Sequence, residues 1–301
     1  MSLRQRFRAL IARPGTDLMP GVYDALSARI FEAQGFEAIV AGGYAAVGSM
    51  LAQPDTGQSN MRDYADHYGR ICGTVDIPVY VDGDTGFGGV NNVRQMVRAF
   101  EAAGVAGLFI NDQVFPNRCG YLPGKRVIPV AEMLAKLKAA LDARRDPELF
   151  IAARTDVAAI EGLDAAIERC QLFMECGVDM AKAQGADKIE DYQRLRREIS
   201  GPRFANMSQA NDKGGVTLAE YEAAGAEMVS FPSLGLFAAA AAVRAAARLL
   251  KSERSLAPLK DHLIPLQDYY GLVRLVQQNA REEDYDKAGL ALAGARVAAQ
   301  N

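Results

Sequence analysis

Histidine and cysteine are scarce in this 301-residue chain, with two of the first and four of the second. His67 sits in a charged helical stretch and His262 near the C-terminus, so no Ser/His/Asp triad can be assembled and neither is placed for catalysis. Cys72, Cys119, Cys170 and Cys176 show neither close metal-binding pairs nor the density of a disulfide framework, which fits a reducing cytoplasm. Long basic runs are missing and the net charge is only −3, so no nucleic acid partner is expected. Long apolar runs are missing too: Arg244 and Arg248 interrupt the Ala-rich stretch from Phe237 to Leu250, and Met1 to Arg8 lacks the apolar core of a signal peptide. A cytoplasmic protein without a membrane partner is the expectation.

What the chain does have is 50% hydrophobic residues, enough for one large domain or two. Eight short β-rich runs alternate with longer helical patterns. The runs are Leu18 to Tyr23, Ala38 to Gly42, Val79 to Asp82, Gly107 to Asn111, Leu149 to Arg154, Asp179 to Gln184, Arg203 to Met207 and Glu227 to Phe231. Helical spacing appears at Val93 to Ala103, Val130 to Arg144 and Leu163 to Cys176, and Gly104, Gly177 and Gly225 stand as helix stops before the next strand. Eight such units predict an α/β fold of the (β/α)8 TIM-barrel type over residues 1–254. A helical extension follows over 255–301, with helices at Leu266 to Gln278 and Tyr285 to Ala299. Having no barrel wall of its own left to cover, it is expected to pack on another subunit.

In such a barrel the functional groups lie at the C-terminal strand ends. Those ends supply Tyr23, Gly42, Gly43, Asp82, Asp84, Asn111, Arg154, Gln184, Asn206, Ser208 and Ser233. Asp82 and Asp84, two apart before the glycine-rich Gly86-Phe87-Gly88-Gly89, are a candidate hard-metal site, because like charges so close need a cation or donors between them. Turn and helix-capping aspartates are the alternative. Cys119 stands apart from the other cysteines in a Pro/Gly-punctuated loop from Pro116 to Lys125, where Arg118 favours the thiolate. The whole set suits a small, anionic carboxylate substrate.

The motifs Pro20-Gly21-Val22-Tyr23-Asp24, Gln53-Pro54-Asp55-Thr56-Gly57, Asp82-Gly83-Asp84-Thr85-Gly86-Phe87-Gly88, Asp112-Gln113-Val114, Arg118-Cys119-Gly120, Ala153-Arg154-Thr155-Asp156 and Ala205-Asn206-Met207 together resemble the isocitrate lyase and phosphoenolpyruvate mutase superfamily. The resemblance runs over nearly the whole chain and is nearest to its short-chain methylisocitrate and dimethylmalate lyases and the carboxyphosphoenolpyruvate mutase-like proteins. It implies a barrel whose final helices are exchanged with a neighbouring subunit, usually in a homotetramer or dimer of dimers, and a bound Mg2+ or Mn2+. The implied metal set is Asp84 and Asp82, with Asn111, Gln184 and Asp55. Gly42, Gly43 and Arg154 match substrate-carboxylate binders, and Tyr23, Asn206, Ser208 and Ser233 complete the expected substrate site. Cys119 matches the lyase cysteine that protonates the departing fragment, which implies retro-aldol-type cleavage of a C–C bond in a 2-hydroxy or 2-oxo (di)carboxylic acid.

The chain departs from this pattern at several points. Asn111 and Gln184 replace glutamates that help hold metal-bound waters, so metal affinity should fall. Lys182, two residues before Gln184 and on the same strand face, replaces an apolar residue. Three arrangements are therefore open at Asp82 and Asp84: a divalent ion, a Lys182 salt bridge in its place, or Lys182 as a Schiff-base nucleophile. Ala41, Asn117 and Tyr121 replace the usual serine, lysine and histidine, and the glutamate expected after Asn206 is absent from Met207-Ser208-Gln209-Ala210. A 2-oxo acid decarboxylase, a phosphonopyruvate-type hydrolase and a metal-free, non-catalytic binding protein stand as alternatives to the lyase.

Overall fold

The computed structural model describes residues 1–298 apart from 121, 187 and 209–214, with side chains described as far as residue 294. All eight expected strands form: β1 (Asp17–Pro20), β2 (Ile39–Ala41), β3 (Val79–Asp82), β4 (Gly107–Asn111), β5 (Phe150–Thr155), β6 (Met180–Ala183), β7 (Phe204–Asn206) and β8 (Met228–Phe231). Helix α1 (Leu3–Ala12) precedes them. Each strand is followed by helix: α2 (Ala25–Ala33), then α3 (Gly43–Leu51) and α4 (Met61–Cys72), α5 (Val90–Ala102), α6 (Val130–Ala143), α7 (Ala158–Glu161) with α8 (Leu163–Glu175), α9 (Ile189–Glu198), α10 (Leu218–Ala223) and α11 (Leu234–Glu253). At the end of α5 Gly104 takes φ +91°, and the amides of Gly104 and Val105 turn back onto Glu101 O and Phe100 O, so the chain re-enters the sheet within three residues.

The strands run parallel in the orders β2-β3-β4-β5-β6 and β7-β8-β1. A single parallel bridge between Gly21 and Val40 joins β1 to β2, and among the described residues no ladder joins β6 to β7. The barrel is thus the (β/α)8 type expected. The strand period divides its side chains cleanly. Val79 and Val81, Leu108 and Ile110, and Ile151 and Ala153 pack outward against the helices. Met19, Val40, Tyr80, Phe150, Met180, Phe204 and Met228 fill the interior.

The N-terminal end of the barrel is plugged by α1. Its Phe7 is fully buried, 5.7 Å from the ring of Tyr80, 5.5 Å from Phe150 and 6.2 Å from Phe204. Arg4 ties the helix down from outside through Val105 O and Asp146. With its lower end packed by aromatic rings, the barrel presents its upper, C-terminal end to a ligand.

The chain divides into two compact units, Met1–Ala240 and Ala241–Asn301. In the second, a 3₁₀ turn (Ala257–His262) leads to α12 (Leu266–Leu272) and α13 (Leu275–Ala298). This corrects the expected tail helices, Leu266 to Gln278 and Tyr285 to Ala299: the break falls at Val273-Arg274, where Arg274 takes φ 55°. The stretch from Asn279 to Asp284 contains no glycine or proline to stop a helix, so α13 runs through it; Ala299 lies outside the described residues. No helix among the described residues is long and apolar enough to cross a membrane.

Removing the plug tests this architecture. Phe7→Ala is expected to cost about 3–5 kcal/mol in urea-denaturation midpoint terms, the range for a buried phenylalanine in a packed core; a loss under about 1 kcal/mol would show that α1 is an accessory.

Candidate active site

The same inward positions that are apolar low in the barrel become polar at its C-terminal end. Tyr80 gives way to Asp82 on β3, Phe109 to Asn111 on β4, and Phe150 and Ala152 to Arg154 on β5. On β6 Met180 gives way to Lys182 and Gln184, and on β7 Phe204 to Asn206. These polar groups, with Gly42, Gly43, Asp55, Cys119, Ser208 and Ser233, line one cavity of about 380 Å³ whose floor is Met19, Tyr80, Phe109, Met180 and Phe204. The strand period thus brings together most of the residues singled out in the sequence.

Two lie elsewhere. Tyr23 does not line the cavity: β1 ends at Pro20, and the backbone amides of Tyr23 and Asp24 both donate to Ser27 Oγ. Asp24 caps α2 in return, accepting from Ser27 N at 2.8 Å. Asp84 sits behind the cavity wall, 3% exposed and with φ 48°.

Three carboxylates are crowded at this point, and each responds to the others. Burial and the charge of Asp82 push Asp55 up to about 7, with Arg154 opposing. Burial raises Asp82, against the pull of Arg154 and of the Asp84 and Gly43 amides, which donate to its two oxygens at 2.8 and 3.2 Å. Burial, then Asp82 and Asp55, raise Asp84 well above the carboxylate range, while Asn117 Nδ2 donates to its Oδ1 at 2.6 Å. A Cβ at position 43 would stand 3.0 Å from Asp82 Oδ2, so a larger residue there would press on that carboxylate.

Arg154 is the cation facing this group. Its guanidinium lies over the ring of Phe109 at 5.9 Å and donates from Nη2 to Asp156 Oδ1 at 2.9 Å. Against the desolvation of burial, Asp156 and Asp82 raise its pKa. Asp156 is itself buried, yet Arg154 and Lys125 hold its carboxyl below the usual range. Lys182 lines the cavity one strand over, paired in register with Arg154.

The side-chain amide at position 111 has taken a local structural partner. Asn111 Oδ1 accepts from Gln113 N at 3.1 Å, and the Asn111 amide donates to Asp84 O at 2.7 Å. Gln184 is 4% exposed and lies under the Cys119 loop. Asn206 Oδ1 accepts from Ser230 Oγ, and Ser208 and Ser233 stand at the rim.

The Cys119 loop lies down over this mouth. The Cys119 amide donates to Asp55 O at 3.2 Å, and Gln113 grips the backbone of Arg118 from both sides, Oε1 accepting its N–H and Nε2 donating to its carbonyl, each at 2.9 Å. Gly120 packs so closely that a Cβ would fall 2.3 Å from Arg154 Nη2. The grip of Gln113, the Asn117–Asp84 bond and the inward lysine Lys125 were not assigned from the sequence; each joins segments with no local signature of their contact. Tyr121, Gln209 and Ala210, where the chain departs from the family pattern, lie outside the described residues.

Whether a divalent ion suits these residues can be judged from their oxygens. Among the described residues no three His, Cys, Asp or Glu side chains form a ready-made metal cage. Yet Asp55 Oδ1 and Asn117 Oδ1 are buried acceptors without a hydrogen-bond donor among the described residues, beside carboxylates that repel one another. An oxygen-rich, incompletely neutralised group of this kind fits a hard ion that takes one or two carboxylates and keeps waters.

The family model described as phosphoenolpyruvate phosphomutase matches residues 7–251. A 2,3-dimethylmalate lyase of Eubacterium barkeri is 32% identical over 285 residues, 95% of this chain and 99% of that one. A 2-methylisocitrate lyase of Shewanella oneidensis is 37% identical over 235 residues, 78% and 80% of the two chains. Among solved structures, oxaloacetate acetylhydrolase in complex with 3,3-difluorooxalacetate superimposes with a TM-score of 0.88 at 28% identity, covering 95% of this chain and 97% of that one.

Two outcomes are expected from this geometry. Mg2+ or Mn2+ should raise the melting temperature, by roughly 2.7 kcal/mol of stabilisation at a hundredfold excess over Kd, and Asp84→Asn should abolish the rise; an equal rise in both proteins would place the ion elsewhere. Because the folded pKa of Asp156 is depressed, its stabilisation is complete above its unfolded value of about 4 and lost as the pH falls through the folded one. Asp156→Asn should therefore cost about 3–5 kcal/mol at pH 7 and progressively less below pH 4 in denaturation curves, whereas a penalty independent of pH would contradict the ion pair.

Proposed function

The chain belongs to the phosphoenolpyruvate phosphomutase family, and from that premise we propose that it is a carbon–carbon lyase acting on a small 2-hydroxy or 2-oxo (di)carboxylic acid, divalent-metal assisted, with Cys119 as proton donor. The observation that carries this reading is the position of Cys119, held over the Asp82–Arg154 mouth by the bonds from its own amide to Asp55 O and from Gln113 to Arg118.

In the proposed reaction Arg154 and the first turn of α3 orient the substrate carboxylate. The 2-hydroxyl gives its proton to a carboxylate base at the mouth, its C–O becomes a carbonyl, and the adjacent C–C bond breaks with its electron pair leaving on the carbon next to the second carboxylate. The Cys119 thiol then delivers a proton to that carbon. Asp84 and Asp82, with Asp55 beside them, would hold a divalent ion, which when bound would supply Lewis acidity. Closure of the Cys119 loop excludes water from the enolate until it is protonated. Lys182, adjacent to Arg154 on the next strand, adds positive charge on the side where a second carboxylate would lie. The apolar side chains exposed on the tail, among them Val276, Leu290 and Leu292 at 76, 75 and 74%, support helix exchange with further copies of this chain in a homotetramer.

Hydrolytic cleavage of a 2-oxo dicarboxylate is a second reading, favoured by the likeness to oxaloacetate acetylhydrolase. Products separate the two, since lyase cleavage of a 2-hydroxy acid yields a 2-oxo acid and hydrolysis of oxaloacetate yields oxalate and acetate. On a substrate found by screening 2-hydroxy diacids for 2-oxo acid release, Cys119→Ser should lower kcat by about 10²- to 10⁴-fold with binding changed only a few-fold. Full turnover by Cys119→Ser would remove the cysteine from the chemistry.

A further inference from the structure

The loop that carries Cys119 is closed at its base. Gln113 and Val127 form an antiparallel bridge, and Val114 N donates to Arg126 O at 2.8 Å. Inside it, Gln113 fixes the chain at Arg118, and the Cys119 amide is bonded to Asp55 O. Beyond Cys119 a lysine ties the loop to the barrel. Lys125 has a side chain 6% exposed, and its Nζ donates to Gly120 O and, at 3.1 Å, to Asp156 Oδ1. That same oxygen accepts from Arg154 Nη2 at 2.9 Å. Asp156 is anchored from beneath, its amide donating to Asp112 Oδ1 at 2.9 Å, while Asp112 Oδ2 is held by Thr155 and Arg169.

Ordering and desolvating a lysine on a loop is costly, so its burial has to be offset by the contacts it makes. Here those contacts join the carbonyl next to the thiol residue and the carboxylate that orients the arginine. We propose that Lys125 is the positioning residue that latches the Cys119 loop shut, locking the thiol segment and Arg154 into one unit through the shared carboxylate of Asp156. The close approach of Gly120 to Arg154 follows from the same latch, for with Lys125 engaged the loop backbone lies directly on the guanidinium. When the lysine disengages, the loop loses its tie to Asp156 and opens more readily, while the base bridge and the grip of Gln113 remain.

The latch can be tested without knowing the substrate, so its failure and the failure of the lyase reading are separable. Cys119 in the intact protein is labelled with iodoacetamide and the rate read by peptide mass spectrometry, with fully buried Cys170 as the internal reference for folding. Lys125→Met should raise the Cys119 rate roughly tenfold or more, the response of a local opening equilibrium, and should speed amide exchange across 115–126, where the Cys119 and Leu122 amides are bonded. Lys125→Arg, which keeps the charge and the donors, should restore both. If Lys125→Met also exposes Cys170, Lys125→Gln takes its place, keeping a donor for Gly120 but no charge for Asp156, and is expected to speed Cys119 alone. Wild-type labelling of Cys119 in whichever variant keeps Cys170 protected, or no recovery in Lys125→Arg, overturns the latch.

Discussion

Repulsion among three buried carboxylates, Asp55, Asp82 and Asp84, in front of one buried guanidinium is the constraint on which the rest of this site depends. Charges at such separations interact by several kcal/mol outside bulk water, so each must be protonated, paired or given donors. The chain answers with backbone amides on both oxygens of Asp82, with Asn117 on Asp84 and with Arg154 across the cavity. It also places a glycine at 43, close against Asp82, and a left-handed backbone at Asp84. The loop bearing Cys119 is fastened to the same group through the Asp55 carbonyl, so electrostatics and loop closure share their parts.

Much of this was legible in the sequence because it rests on local pattern. Strands β3 and β4 fall where the apolar runs end in Asp82 and Asn111, and the period of two carries Arg154, Lys182, Gln184 and Asn206 to the inner face along with them. Tyr23 shows the limit of that rule: the first run was extended three residues past the true strand end at Pro20, beyond which alternation no longer governs direction. Contacts between distant segments left no trace in the sequence. Lys125 to Asp156 and Asn117 to Asp84 each join a loop residue to a strand end by more than thirty positions, and only the folded chain brings them within bonding distance.

The departures from the family pattern gain physical meaning from their surroundings. Asn111 uses its side-chain oxygen on the amide of Gln113, the residue that grips the Cys119 loop, and Asn117 donates to the aspartate that matches the family's metal ligand. Amides at these positions hydrogen-bond within the site where the family pattern has charged residues, and Lys182 lies beside Arg154 on the next strand.

The claim at the centre of this account is that one C–C bond is broken and the departing carbon is protonated by Cys119. Proton NMR of the products formed in D2O from a panel of 2-hydroxy and 2-oxo dicarboxylates tests it most directly. A 2-oxo acid and a second carboxylic acid carrying a single solvent deuteron on the carbon that left are predicted for the wild-type protein, with this pair lost in Cys119→Ser. Release of carbon dioxide or phosphate in place of two acids would contradict it.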